Sequence, residues 1–347
     1  MKILINTPHF KFCGGVANHF MGLEHFWTEN VKYNFVGKRF KNTPWLTYLI
    51  LPYDILKFLF RLLFFRPDMV MVNPSMAPKA IKRDFFYMKI ARFFGFKCAV
   101  MFHGFHTESV TDMKPYIVEQ LNQASVIFVL AEAFKSILEE WGVSTPIELT
   151  TTKVDDRMLD GFSLDERQGK VENILFLARV TKEKGIMLSL EVFKALSNLY
   201  PNLRYTVVGD GTDLDAAKTF VKEQAIPNVT FTGALSGKKL VEQFKQADLY
   251  LFTSYHEGMP TSVLEAMAFG LPIVSHPVGG MVDFFDARMG RAVSTFEAAD
   301  FVPPISELIE NQEKTKEISE FNYHYAHDHF LASMVAQRME KIFFRYK

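Results

Sequence analysis

Two carboxylates separated by seven residues, Glu257 and Glu265, enclose a stretch punctuated like a helix start. Pro260 has no amide hydrogen to lose in a first turn, and Gly270 suits a C-terminal stop. The amides of Thr261, Ser262 and Val263 would then point out of the helix and seat a phosphate. Carboxylates repel phosphate, so Glu257 and Glu265 make sense there when each accepts hydrogen bonds from hydroxyls on either side of a diphosphate. The hexose, diphosphate and ribose of a nucleotide sugar follow that order. The repulsion needs cations, and Ala178-Arg-Val-Thr-Lys-Glu-Lys-Gly185 supplies Arg179 and Lys184 after another strand end. Each piece alone also reads as a capped helix with solvated charges; the ligand reading rests on their joint occurrence.

These residues need a scaffold, and the apolar runs outline one. Residues 2–6 read as a short buried strand, followed by a loop with Gly14-Gly15 and a helical pattern through Val16, Phe20 and Leu23. Further strands are predicted at 68–73, at 97–102 before His103-Gly104, and at 125–130 before a helix near 132–141. Across 150–169 apolar runs give way to charged and small residues, as in an interdomain connection. The pattern then restarts, with strands at 173–178, 204–208, 229–232, 247–252 and 272–275. Strands alternating with helices imply an α/β class with parallel, doubly wound sheets. The expected domains are residues 1–160, residues 161–320 and a C-terminal helical segment, 321–347, which either caps the second domain or returns to the first.

The second half resembles the retaining nucleotide-sugar glycosyltransferases of the GT-B fold, specifically glycosyltransferase family 4. The family's pair of glutamates matches Glu257 and Glu265, and its Arg…Lys-Gly motif matches Arg179, Lys184 and Gly185. Val208-Gly-Asp-Gly211, which includes Gly209, and Phe231-Thr-Gly233 match its other motifs. In the first half, Gly14-Gly15-Val-Ala-Asn-His19 and His103-Gly104 fall where the family has its glycine loop and active-site histidine. The resemblance implies two facing Rossmann-like domains with a cleft between them. It implies that Glu257 contacts donor-sugar hydroxyls, Glu265 holds the ribose, and Arg179 and Lys184 stabilise the departing diphosphate.

Gly15, Gly209, Gly258, Met259, Pro260 and the amides of Thr261, Ser262 and Val263 complete the implied donor site. His103 would sit near the sugar and the acceptor. Fixed cations and helix amides can replace a metal in leaving-group stabilisation, so no metal and no cofactor beyond the donor is expected; the resemblance, by family frequency alone, favours a UDP-sugar. The implied reaction is retaining, metal-independent transfer of a hexose or N-acetylhexosamine to a glycan or lipid-linked acceptor in cell-surface polysaccharide biosynthesis. Alternatives are a sugar-nucleotide epimerase on the same fold and a non-catalytic sugar-nucleotide-binding protein. A dehydrogenase is disfavoured, because the first loop lacks the Gly-Xaa-Gly-Xaa-Xaa-Gly run.

Composition narrows the partners. Lys and Arg total 39 against 39 Asp and Glu, so no global field attracts nucleic acid. The start has too few apolar residues for a secretory segment, and a cytoplasmic protein is expected. Cys13 and Cys98 cannot build a disulfide framework or a cysteine-rich metal site. Residues 45–65 are strongly apolar, but Pro52, Asp54, Lys57 and Arg61 interrupt them, which argues against a bilayer-spanning helix. They read as a core-facing helix or as a surface resting on a membrane. Lys79, Lys82, Arg83, Lys89, Arg92 and Lys97 would add attraction to an anionic leaflet, and the protein would then be peripheral on the inner face of the cell membrane. His19, alone on a helix, reads as structural; His9, His106 and His256 read as ordinary polar residues. His324, His327 and His329 do not share one helical face and read as surface residues.

Overall fold

The computed structural model describes residues 1–11, 14–37, 51–105 and 107–347. Cys13, His106 and the 45–50 part of the apolar stretch lie outside the described residues. The chain forms two compact units, Met1–Lys153 with Ala332–Lys347, and Val154–Leu331.

The first unit carries a six-stranded, all-parallel sheet in the order β2-β1-β3-β4-β5-β6. The strands are β1 (Lys2–Thr7), β2 (Asn30–Phe35), β3 (Met69–Val72), β4 (Lys97–Met101), β5 (Val126–Val129) and β6 (Ile147–Leu149). Central strands such as Met-Val-Met-Val of β3 and Val-Ile-Phe-Val of β5 are buried throughout. Helices cover both faces of a parallel sheet, so such strands read as unbroken apolar runs. Helix Leu51–Phe65 turns Phe58, Leu62 and Phe65 into this core. No helix among the described residues is long and apolar enough to cross a membrane.

The second unit repeats the plan. Its six parallel strands are β7 (Asn173–Leu177), β8 (Arg204–Val208), β9 (Val229–Gly233), β10 (Leu249–Phe252), β11 (Ile273–Ser275) and β12 (Gly290–Ala292), in the order β12-β11-β10-β7-β8-β9. Strand alternation separates two cores: Ile174 and Phe176 of β7 enter one, and Leu175 enters the other with Tyr250 and Phe252. The order reverses between β7 and β10 here, and between β1 and β3 in the first unit. Open α/β sheets bind ligands outside the carboxyl ends of strands at such switch points.

Nine of the twelve strands coincide with the apolar runs of the sequence; β2, β6 and β12 do not. All three are edge strands. An edge strand has one neighbour and less cover, so β2 keeps an alternating, half-exposed pattern and β12 is only Gly-Arg-Ala.

The stretch 150–169 is not a solvated linker. Thr150, Thr151, Val154 and Arg167 are buried. The Arg167 guanidinium donates to the carbonyls of Phe269 (2.8 Å), Phe244 (2.7 Å), Lys245 (3.2 Å) and Ala247, tying together two helix ends of the second unit. The two final helices part company. Helix Gln312–His329 packs on helix Thr261–Ala268, whereas helix Ala332–Arg345 packs on helix Gly15–Leu23 of the first unit. There the buried carboxylate of Glu340 accepts from the Thr28 amide (2.8 Å), the Thr28 hydroxyl (2.6 Å) and the Glu29 amide (2.9 Å), and Phe343 meets Phe128 edge to face.

Candidate functional site

In the second unit, the chain leaves β10 through Thr253 and Ser254, both fully buried, and reaches Glu257 before the helix. The helix runs from Thr261 to Ala268, with Pro260 as its cap rather than inside its first turn. The Val263 amide donates to the Pro260 carbonyl at 3.0 Å. Among the described residues this leaves Thr261 and Ser262 as the amides of the first turn without a backbone partner, so the seat is narrower than the three amides read from sequence. Gly270 ends the helix in the left-handed region, with its amide on Met267 O (2.8 Å) and the Leu271 amide on Ala266 O (2.9 Å).

Two loops press on this segment. The residue after Lys184 is Gly185, at φ +72°, where a Cβ would stand 1.9 Å from Thr253 O. Only glycine allows the β7 loop to approach the end of β10 that closely. Gly279 plays the same part from the other side: its Cβ would fall 2.4 Å from the carbonyls of Glu257 and Gly258, and the Gly280 amide donates to Gly258 O at 2.7 Å. Glu257 is therefore held by backbone packing on both sides.

The result is a short ion pair. Lys184 Nζ lies 2.6 Å from Glu257 Oε1, with the two side chains 15% and 17% exposed. Sequence motifs separated by more than seventy residues thus meet at the β7/β10 switch point, where an ammonium and a carboxylate stand beside a helix start. Glu265, on the same short helix, is partly buried. Arg179 is exposed on the loop after β7, and the amide of the next residue, Val180, donates to Asp210 O (3.0 Å). Gly209 follows β8, its amide on Gly233 O (2.9 Å); Gly258 and Met259 lie between Glu257 and the helix, both partly buried.

Tyr250, inside strand β10, carries no sequence signal of its own. It is fully buried; its hydroxyl donates to Leu177 O (2.9 Å) and stands 2.8 Å from Ser262 Oγ. Burial pushes the phenol pKa up, with Glu265 and Glu257 adding to the rise, so it stays a neutral hydroxyl bracing the helix start.

The chain also holds an Asp-Xaa-Asp spacing, Asp213-Leu214-Asp215, a pattern that can bind a metal ion. It lies at the start of helix Leu214–Glu223, where the Asp213 carboxylate accepts from the Lys182 amide at 2.5 Å. Asp213 thereby fixes the loop that carries Lys184. Among the described residues no group of three or more His, Cys, Asp or Glu side chains is placed to hold a metal ion.

The first unit gathers different chemistry at its own switch point. Gly15 opens helix Gly15–Leu23 after β1, and a Cβ there would meet nothing within 4 Å, so protein packing does not demand the glycine. His103 follows β4, and its Nε2 lies 3.3 Å from Asn73 Oδ1. Asn73 Nδ2 donates to the Asn6 carbonyl at 2.7 Å. Only an amide nitrogen can donate there, so Oδ1 must face His103, and Nε2 must carry the proton. His103 Nδ1 is left as an enclosed acceptor with no protein partner among the described residues. The ring retains some exposure, but its Nδ1 does not, and burial pulls the pKa down to about 3.

His19 stacks edge-on against His103, with ring centroids 5.0 Å apart. Burial first, then His103 and Lys153, lowers its pKa well below the ordinary range. Asn6 and Asn73, absent from the sequence reading, had a signal: each is the polar residue that ends an apolar strand run, as His103 is. The three C-terminal histidines are differently used, with His329 Nδ1 on Tyr325 O (2.8 Å) and His327 against the Tyr323 ring (3.9 Å).

Comparison with known proteins agrees with this architecture. HepE of Anabaena, solved with UDP and glucose, superposes with a TM-score of 0.75 over 99% of this chain and 100% of that one, at 17% identity. The fold is GT-B. Within it, residues 165–325 match the family model described as glycosyl transferases group 1. The chain is 34% identical over 115 residues to the 2-deoxystreptamine N-acetyl-D-glucosaminyltransferase of Niallia circulans, covering 33% of this chain and 30% of that protein. It is 32% identical over 134 residues to a putative teichuronic acid biosynthesis glycosyltransferase of Bacillus subtilis, covering 39% and 31%. The chain thus spans under a third of the length of these two curated relatives.

Proposed function

We propose that this protein is a retaining, metal-independent glycosyltransferase that moves a hexose or N-acetylhexosamine from a nucleoside diphosphate sugar, with UDP the favoured nucleotide. The observation that carries the reading is the Lys184–Glu257 pair at 2.6 Å beside the start of helix Thr261–Ala268. Breaking a glycosyl–phosphate bond places negative charge on the diphosphate and oxocarbenium character on the sugar. Lys184, the amides of Thr261 and Ser262, and Arg179 are set to meet the first; the Glu257 carboxylate is set to bind hydroxyls of the second. Glu265, farther along the helix, takes the ribose. The ligand must share Lys184 with Glu257, which ties sugar recognition to diphosphate stabilisation.

Retention fits attack of the acceptor from the leaving-group side, with a phosphate oxygen taking its proton, so no protein base is required. His103, neutral, offers Nδ1 as a hydrogen-bond acceptor to a hydroxyl of the sugar or the acceptor, without taking its proton. The unit of residues 154–331 would bind donor and the other unit the acceptor, a glycan or lipid-linked glycan of cell-surface polysaccharide assembly. The UDP and glucose of HepE and the putative teichuronic acid biosynthesis role in the Bacillus relative's name support this direction. A panel of nucleotides and nucleotide sugars tested for thermal stabilisation, with Glu265→Ala and Arg179→Ala as controls, decides it. A UDP-sugar should raise Tm in the native protein and not in Glu265→Ala; no shift with any nucleotide would defeat the reading.

A further inference from the structure

Helix Leu51–Phe65 has two faces of nearly equal apolarity. Phe58, Leu62 and Phe65 fill the core, yet Leu56 is 65%, Phe60 60%, Leu63 54% and Phe64 71% exposed on the opposite side. Residues 56, 60, 63 and 64 recur at helical spacing, so they form one stripe. The neighbouring helix Pro78–Phe93 presents a second stripe in which Lys79, Lys82, Phe86, Lys89 and Phe93 follow at steps of three and four, all exposed, with Phe93 at 85%. The helices join through Phe58 and Tyr87, edge to face at 5.0 Å, and Leu59, Ile90, Phe93 and Phe94 line a recess where their outer faces meet.

Charge sets this surface apart from an ordinary sticky patch. Each helix has a single acidic residue, Asp54 and Asp84, and both are buried, at 4% and 1% exposure. Asp84 pairs with Arg83 at 2.5 Å. The outer face of helix Leu51–Phe65 is thus apolar and that of helix Pro78–Phe93 carries lysine and apolar side chains, with no exposed carboxylate on either. A monomeric protein seldom leaves so many large apolar side chains together in water. A second copy meeting this face by two-fold symmetry would set lysines against lysines. Apolar side chains at the depth of acyl chains, with lysines reaching up to anionic headgroups, satisfy both features at once.

We propose that the exposed faces of helices Leu51–Phe65 and Pro78–Phe93 form a docking surface for an anionic phospholipid bilayer. It deepens the reading above by making a membrane-borne acceptor accessible to the first unit, but the test of it uses neither donor nor acceptor. The full chain is sedimented with vesicles of phosphatidylcholine alone and with about 30 mol% phosphatidylglycerol, at low and high salt. Sedimentation with the anionic vesicles only, weakened by salt, is expected. Leu56→Glu with Phe64→Glu should reduce bound protein at least tenfold, and Lys82→Glu with Lys89→Glu severalfold, while circular dichroism stays native. UDP-induced stabilisation, measured in parallel, should be unchanged in both variants, which separates failure here from failure of the donor reading. No sedimentation with anionic vesicles would overturn the proposal. So would sedimentation that all four substitutions leave intact, or a doubled solution mass that Phe64→Glu returns to the monomer's.

Discussion

The two switch points of this chain have opposite characters. At β7/β10 the side chains are charged and partly open: an ammonium and a carboxylate 2.6 Å apart, a second carboxylate and an exposed arginine. At β1/β3 they are neutral and largely enclosed: Asn6, Asn73 and His19 are buried and His103 partly so, with burial holding both imidazoles uncharged. On the proposed function, the contrast follows from what each site would recognise. A diphosphate requires positive charge that is only partly desolvated, because stripping water from Lys184 fully would cost more than its pairing returns. A sugar or acceptor hydroxyl requires oriented neutral donors and acceptors, which tolerate burial when their geometry is fixed.

The largest effect that would test this contrast is on leaving-group chemistry. Lys184→Ala should lower kcat for nucleotide release by about 10³-fold, because it removes a cation and leaves Glu257 facing phosphate, whereas His103→Ala should cost about 10–100-fold. Equal losses would erase the distinction between the two ends. Next comes the scaffold under the charged site. Arg167→Leu abandons three buried carbonyls and one part-buried one and should destabilise the second unit by about 3 kcal/mol or more, read as lost amide hydrogen-exchange protection in β10 but not in β4.

The neutral site should make the first unit acid-sensitive. His103 has a folded pKa near 3, depressed by burial, against about 6.5 unfolded. The unfolded chain therefore binds more protons between these values, and stability is present above pH 6.5 and lost as pH falls toward 3. From pH 7 to pH 5 the loss should be about 1–2 kcal/mol after allowance for the ring's partial exposure, with His19 acting in the same direction. Hydrogen exchange at both pH values, compared with His103→Gln, measures it; an unchanged β4 protection would show the imidazole is not enclosed. Asn73→Ala should be the mildest, at about 1 kcal/mol in stability. Its diagnostic is the nitrogen-15 spectrum of His103, which should show a single Nε2-protonated tautomer in the native protein and a mixture in the variant.

Much of the charged site is legible along the chain because its signals are local. Pro260, Gly270 and the two glutamates announce a helix start and stop within one short stretch, Gly185 marks a tight loop in another, and backbone chemistry makes each of those signals mean nearly the same thing in any fold. The central strands are equally plain, since burial on both faces demands unbroken apolar runs such as Met69–Val72. Of the neutral site, His103 is legible in the sequence but its partners are not. Nothing near Asn73 in sequence says that its amide will face His103, because that contact joins the ends of two strands whose adjacency is decided by sheet order.

The opening pair of glutamates shows where the line falls. Their types, their spacing and the helix between them follow from sequence. That Glu257 holds Lys184, that Tyr250 braces Ser262, and that Val263 is already bonded are consequences of how β7 and β10 lie side by side. The same holds for the three edge strands and for helix Ala332–Arg345, which joins the first unit through the buried Glu340. Backbone geometry and hydrophobic period act over a few residues and can be read one residue after another. Pairing of charges, capping by distant carboxylates and the register of edge strands depend on residues far apart in the chain, and only the folded packing brings them within bonding distance.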